Sequence, residues 1–280
     1  MNLSLSDTNA TDREKGMVIC MNIAIITGAS SGMGKEFAKQ LAGSLTKTDE
    51  IWLLARRREP LERLALELTK EVKEMSESEE PHHEKTIKVR TIAIDITDEK
   101  KLSRFAEVLM IRNAGISVLV NCAGTGIYGE FEKQSRDEVT ETVRLNVLAL
   151  TQMTKFCLPY MKKGSKIIQV ASGSAFLPQK DFAVYAASKA YVYSFGRALG
   201  KELKKKGIFV TVVCPGPVKT PFLGHAYGRY GKMGFLKKLT MAKPEKVVRK
   251  ALKDCKGGKS VSVYGMPMKL LYKLTRGLIQ

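Results

Sequence analysis

Tyr185 and Lys189 stand four residues apart in the segment Tyr185-Ala-Ala-Ser-Lys189, which puts a phenol and an ammonium on one face of a helix. A phenol titrates near pH 10 in water, so bringing it to about 7 takes roughly 4 kcal/mol of preferential stabilisation of the phenolate. A cation held within about 4–6 Å is one of the few ways to supply that. A tyrosine so tuned gives or takes a proton at neutral pH, as reduction of a carbonyl or oxidation of an alcohol requires. The same spacing also fits a solvated helix face, so the chemical reading depends on companions elsewhere in the chain.

The first companion lies near the start. Asn22–Thr27 (NIAIIT) is a short apolar, β-branched run, and Gly28, Ala29, Ser30, Ser31, Gly32, Met33 and Gly34 follow it before a helical pattern over residues 35–45. Strand, glycine-rich turn and helix in that order gather backbone N–H groups and a positive helix end at one spot, suited to a pyrophosphate. The glycines permit the turn and let a ligand approach the backbone. The spacing is T-G-x-x-x-G-x-G, a narrower pattern than G-x-G-x-x-G. The alternative is a tight turn with no ligand.

Together the two motifs resemble the short-chain dehydrogenase/reductase family in its shorter subtype, over roughly residues 22–265. Further landmarks come in the family's order. Asp95 follows the run 89–94, where the family places an aspartate near the adenine. Asn121-Cys122-Ala123-Gly124 resembles the family's N-N-A-G turn, with Cys122 in place of the second asparagine and some loosening of the turn's hydrogen bonding expected. Ser172 stands thirteen residues before Tyr185, as the family's catalytic serine does. Pro215-Gly216-Pro217-Val218-Lys219-Thr220 resembles the segment that closes on the nicotinamide carboxamide. The resemblance implies a catalytic set of Asn146, Ser172, Tyr185 and Lys189. In that set Lys189 lowers the Tyr185 pKa and holds the nicotinamide ribose, and Asn146 positions a water that links Lys189 to solvent. It implies cofactor contacts at Gly28, Ser30, Ser31, Gly32, Met33, Gly34, Asp95, Ile96, Asn121, Tyr185, Lys189, Pro215, Gly216, Val218 and Thr220. Two look-alikes are set aside. Asn113-Ala114-Gly115 precedes its strand and reads as a helix-ending turn, and Ser174 has the wrong spacing to Tyr185.

Charge selects the cofactor. Where a dinucleotide fold meets the adenosine ribose, an acid would bind a free 2′-OH. The chain instead offers Ala55-Arg56-Arg57-Arg58, with no acid until Glu59. Guanidinium forks suit a phosphate dianion, so NADP(H) is expected, held by Arg56 and Arg57. The alternative is a basic helix start on the surface, slightly unfavourable in itself.

The fold expected is α/β, a single doubly wound Rossmann-type domain. Its parallel sheet has about seven strands with helices on both faces and the site at the strands' carboxyl ends. Strands are expected at residues 22–27, 50–55 and 89–94, near Val118, Ile167 and Phe209, and over 260–264. Helices are expected over 60–73, 98–112, 137–161 and 182–206. Residues 1–20 read as a disordered extension, 21–265 as the domain with a lid near 220–241, and 266–280 as a basic amphipathic tail.

At 280 residues and 44% hydrophobic the chain can build one large core. Five scattered cysteines without C-x-x-C spacing argue for reduced thiols and against a zinc site. The His82-His83 pair in a charged loop is read as solvated, and no metal is expected. No apolar stretch approaches the ~20 residues of a membrane span, and the first residues lack a secretory signal's apolar core. The cytoplasm is the compartment expected.

The chain is therefore expected to be an NADP(H)-dependent enzyme that interconverts a ketone and a secondary alcohol. Phe222, Leu223, Tyr227, Tyr230, Met233, Phe235 and Leu236 in the glycine-punctuated lid favour an apolar substrate, a hydroxysteroid or bile acid first. Reduction of acyl-lipid or xenobiotic carbonyls is the alternative, and a non-catalytic dinucleotide-binding protein the third reading. The resemblance implies a homodimer or homotetramer through helices 137–161 and 182–206, where Ala186, Ala187, Ala190, Ser194 and Gly196 would permit close approach. The formal net charge of +19 invites a nucleic-acid partner, but no recognisable module supports one. The tail, MPMKLLYKLTRGLI, is expected to fold over the lid, with peripheral membrane contact as the less favoured reading.

Overall fold

The computed structural model describes residues 22–44, 50–78, 87–112, 115–228, 230–231 and 241–275. Alternation of side chains along the strands sets its layers. In β1 (Asn22–Thr27) Ile23 and Ile25 enter one apolar cluster, while Ala24 and Ile26 enter another on the opposite face. A strand covered on both faces must be apolar throughout, and β2 (Glu50–Ala55) is buried along its whole length. With β3 (Lys88–Ala93), β4 (Gly115–Asn121), β5 (Met161–Val170), β6 (Phe209–Val213) and β7 (Val261–Ser262) they form a seven-stranded parallel sheet in the order β3-β2-β1-β4-β5-β6-β7.

Helices α1 (Gly32–Ser44), α2 (Arg58–Ser78) and α8 (Pro244–Lys256) cover one face through Phe37, Leu41, Leu61, Leu64, Leu68 and Val248. On the other face α3 (Glu99–Arg112), α5 (Leu150–Cys157) and α6 (Ala183–Leu203) contribute Leu102, Phe105, Met153 and Leu199. Helix α4 (Arg136–Val143) leads towards α5, and α7 (Pro221–Tyr227) and α9 (Met266–Thr275) lie beyond the strands' carboxyl ends. The strand order reverses between β1 and β4, which opens a crevice where α/β sheets of this kind bind ligands. The expected fold class is observed.

Helices α7 and α8 are absent from the sequence expectation, and α2 continues past residue 73 to Ser78. Three further elements differ in their bounds. The helix expected over 137–161 is broken. A π-helical turn, Arg144–Ala149, separates α4 from α5, and a 3-10 turn at Leu158–Tyr160 containing Pro159 ends it. The π turn carries Asn146, whose side chain is fully occupied with other segments, so packing outside the helix sets the local geometry. β5 begins at Met161, earlier than its apolar run, because Ser165 Oγ bridges Lys162 N–H and Ile116 C=O and holds a polar segment in the ladder. β7 is shorter than expected, since only Val261 and Ser262 find partners on β6. The expected disordered extension, the His82-His83 loop, Asn113-Ala114, most of the lid beyond Gly231 and residues 276–280 lie outside the described residues. Among the described residues no helix is long and apolar enough to cross a membrane.

A buried charge marks the sheet's amino end. Glu50 is 1% exposed and accepts from Arg90 Nε at 2.8 Å and from the Trp52 indole N–H at 2.6 Å, with Lys88 and Arg112 at 3.7 and 3.8 Å. Burial works to raise its carboxyl, but Arg90, Trp52 and Arg112 together hold it below the usual carboxylate range.

Candidate active site

The crevice is a cavity of about 710 Å³, within the range of small-molecule sites. At one end lies the turn after β1. Gly28 has φ +70°, and a Cβ there would stand 2.8 Å from the Ala123 Cα. A Cβ on Gly34 would meet the Gly28 carbonyl oxygen at 2.2 Å, so only glycine permits this turn to lie against the start of α1. Thr27 Oγ1 accepts from the Cys122 and Ala123 N–H groups, each at 3.1 Å, and so holds the turn after β4 firm despite the cysteine.

Gly28, Ser30, Ser31, Gly32, Met33, Gly34, Arg56, Arg57, Asp95, Ile96, Pro215, Gly216, Val218 and Thr220 all line the cavity, as do Ser172, Tyr185 and Lys189. Asn121 does not. It is 2% exposed, and its amide donates to Thr154 Oγ1 and Gln169 Oε1 at 2.9 and 3.1 Å. The Asn121 side chain ties β4 to β5 and α5, so its amide is not turned to the cavity.

The chemistry gathers at the other end. Ser172 Oγ accepts from the Ser174 N–H at 3.1 Å and lies close enough to the Tyr185 phenol to favour its ionised form. Lys189 Nζ lies 5.7 Å from the Tyr185 ring centroid and donates to Val170 C=O at 2.9 Å. Asn146 sits behind them, wholly buried. It accepts from Thr125 N–H at 2.9 Å and donates to Thr125 C=O at 2.8 Å and to Ser188 Oγ at 2.9 Å. Ser188 Oγ in turn donates to Tyr185 C=O at 2.7 Å.

The four residues predicted as a catalytic set thus form one connected cluster, three of them at the cavity wall. Their electrostatics differ from the expectation. Burial pushes Tyr185 up to about 12, partly opposed by the nearby Ser172 hydroxyl, and lowers Lys189 to about 8. Burial is the main cause of both shifts, and it leaves the phenol protonated at neutral pH.

Aromatic rings build the chamber above Tyr185. Phe182 stacks on it at 4.2 Å and Phe222 lies 5.5 Å away, while Tyr227 stacks on Tyr128 at 4.7 Å. Tyr128 N–H donates to Ala226 C=O at 2.8 Å and fastens α7 to the loop after β4. From the tail, Met268 and Leu271 complete the wall. Sequence reasoning missed Gly126, Tyr128, Glu141 and Phe182 as site residues, whereas Met268 and Leu271 belong to the tail expected to fold over the lid. Only Gly126, two residues past Gly124, carried a signal that spacing could have flagged. At the basic corner Arg56 pairs with Glu141 at 3.2 Å, and Arg57 donates to Ser30 Oγ at 3.4 Å.

Comparison with known proteins agrees. Residues 22–228 match the family described as short chain dehydrogenase. The human very-long-chain 3-oxoacyl-CoA reductase is 29% identical over 238 residues, 82% of this chain and 67% of that protein. Its counterpart from Rattus norvegicus is 31% identical with the same coverage. A solved short-chain dehydrogenase from Sphingobium yanoikuyae, in complex with NADPH, superimposes with a TM-score of 0.73 at 25% identity, over 92% of this chain and 95% of that one. The glycine turn at one end of the crevice, the Ser172–Tyr185–Lys189 cluster at the other and the matched span all lead to one assignment: the chain belongs to the short-chain dehydrogenase family.

Proposed function

We propose that this chain is an NADP(H)-dependent oxidoreductase that interconverts a ketone and a secondary alcohol on an apolar substrate. The observation that carries the reading is the single cavity that joins the glycine turn and Arg56–Arg57 at one end to Ser172, Tyr185 and Lys189 at the other. The residues present fit a nicotinamide dinucleotide: a turn only glycine can make, backbone N–H groups at the start of α1, and two guanidinium groups at the end of β2. When bound, the nicotinamide supplies or accepts the hydride.

The chain's own residues handle the proton and the orientation. Tyr185, held protonated, donates to the substrate oxygen in the reductive direction. Ser172 hydrogen-bonds the same oxygen as charge grows on it. Lys189 places a cation beside the ring, and Asn146 fixes the segment at Thr125 and the helix turn at Ser188 between which that lysine lies. Tyr185→Phe should remove most turnover and leave cofactor affinity nearly unchanged; full turnover in that variant would overturn the assignment.

Phe182, Phe222, Leu223, Tyr227, Met268 and Leu271 make the substrate end apolar. The named activity of the curated relatives favours a long-chain 3-oxoacyl group, and the flat aromatic walls keep a hydroxysteroid as the second reading. Following NADPH oxidation with a long-chain 3-oxoacyl-CoA, a steroid ketone and a small polar ketone separates the two. Turnover confined to the small polar ketone refutes both. A preference for NADH over NADPH would refute the role given to Arg56 and Arg57. Exposed Ala187, Tyr191 and Ser194 on α6, beside Leu148, offer a face for the expected homodimer or homotetramer. Ala186 and Gly196 do not belong to it, since both are buried and a Cβ on Gly196 would stand 2.5 Å from Val212.

A further inference from the structure

Helix α9 has two apolar faces, and among the described residues only one of them is packed. Its inner face is wedged in place. Met268 packs so closely on Gly173 and Gly216 that a Cβ on either would lie 2.1 or 2.9 Å from it. Leu271 lines the cavity, Tyr272 meets Phe176 at 5.3 Å between centroids, and Thr275 is buried. These contacts fix the helix's rotation, so the outer face cannot turn inward.

That outer face carries Met266, Leu270 and Leu274, 76%, 60% and 70% exposed, four residues apart and therefore in one stripe. In the sequence Leu278 continues the same interval. Lys269 and Lys273, both exposed, flank the stripe on one side, and among the described residues neither is paired with a carboxylate. No Asp or Glu follows Asp254 anywhere in the chain, while Lys256, Lys259, Lys269, Lys273 and Arg276 do.

We infer that the outer face of α9 is a docking surface for an anionic lipid bilayer, with the three apolar side chains at the acyl boundary and the lysines at the headgroups. An apolar stripe beside unpaired lysines is the pattern that lies in a membrane interface, and the negative surface potential of an anionic leaflet attracts such lysines. A second copy of this chain fits poorly, because pairing two such stripes brings like charges together. The opposite side of the same helix is the cavity wall, so the bilayer would lie one helix diameter from the substrate chamber. The inference does not depend on which carbonyl the chain reduces.

The test is sedimentation of the full chain with vesicles of phosphatidylcholine alone or with phosphatidylserine added. Binding should require phosphatidylserine and weaken with salt. Lys269→Ala with Lys273→Ala should weaken partitioning about 30-fold, and Leu270→Ser with Leu274→Ser about tenfold or more. Lys204→Ala with Lys205→Ala, on a remote exposed turn, should change it little. Thermal melts establish that each variant is folded. No binding to phosphatidylserine vesicles at low salt overturns the inference. So does binding that the leucine variants leave unchanged or that the remote pair weakens equally, since diffuse positive charge then accounts for it. A dimer in light scattering that the leucine variants dissociate would assign the face to a second copy instead.

Discussion

Replacing Gly126 by alanine drives a methyl group into the Tyr185 ring. The added Cβ would stand 2.3 Å from Tyr185 Cδ2, 2.9 Å from Cγ and 3.1 Å from Cε2. Carbon atoms rest comfortably at about 3.5–4.0 Å, so ring or loop must yield by more than about 1 Å. Phe182, stacked on the ring at 4.2 Å, blocks retreat on one side, and the Tyr128 N–H bond to Ala226 restrains the loop. A misplacement of about 1 Å in a catalytic group costs on the order of a hundredfold, or about 2.7 kcal/mol of activation free energy. Steady-state kcat should therefore fall about a hundredfold. Cofactor affinity, measured by calorimetry, should stay within about threefold, because the perturbation lies at the substrate end. Gly224→Ala is the matched control: nothing lies within 4 Å of a Cβ there, so activity should persist and α7 should gain up to about 1 kcal/mol. A folded Gly126→Ala variant with wild-type kcat would refute the claim that ring position limits turnover.

Three further outcomes follow from the site. Gly34→Ala, whose Cβ meets a backbone oxygen at 2.2 Å, should abolish cofactor binding in calorimetry or prevent folding; normal affinity would contradict the tight-turn argument. Glu141→Gln frees Arg56 from an exposed pair worth at most about 1 kcal/mol, so NADPH should bind up to about fivefold tighter and NADH unchanged. Equal changes for both cofactors would show that Arg56 does not read the 2′-phosphate. Burial lowers Lys189 from 10.5 to about 8, so between those pH values the unfolded chain holds a proton that the folded chain has lost, and the lysine's contribution to stability rises with pH. Lys189→Met should accordingly be more stable than the unaltered chain at pH 7, by on the order of 3 kcal/mol, with the gap closing above pH 8. A gap that widens with pH in denaturant titrations would contradict the sign.

What could be read without coordinates was whatever repeats with a period or depends on one glycine. β1 and β2 end where their apolar runs end, and every glycine of the turn after β1 borders the cavity. Features set by distant partners were invisible. The π turn exists because Asn146 bonds to Thr125 and Ser188, twenty-one and forty-two residues away. Asn121 resembles a cofactor ligand in its motif, yet Thr154 and Gln169 claim its amide. Spacing brought Lys189 beside Tyr185, but the balance between its charge and desolvation depends on how deeply both are buried. The tail is expected over the lid from its sequence, but which of its residues reach the cavity is set only by the return of the chain after β7, which brings Met268 against Gly173 and Gly216.

Trp52 is the one tryptophan among 280 residues, which makes the molecule optically simple. Excitation at the red edge of the aromatic band reaches a single indole, 1% exposed, whose N–H is bound to the Glu50 carboxylate. Phe105 meets its ring edge-on at 6.1 Å, and the Arg112 guanidinium lies 5.9 Å above it. Its emission should be blue, narrow and insensitive to added quenchers, and any red shift would report water reaching the start of β2. That location is the sheet end opposite the cavity, so the signal tracks opening of the scaffold separately from events at Tyr185. Acid supplies the natural stimulus. The Glu50 carboxyl sits below its ordinary value in the folded chain, so the stability it provides is complete above about pH 4.5 and is lost as the pH falls through its lowered folded value. The colour of one indole would thus display the protonation of one buried carboxylate.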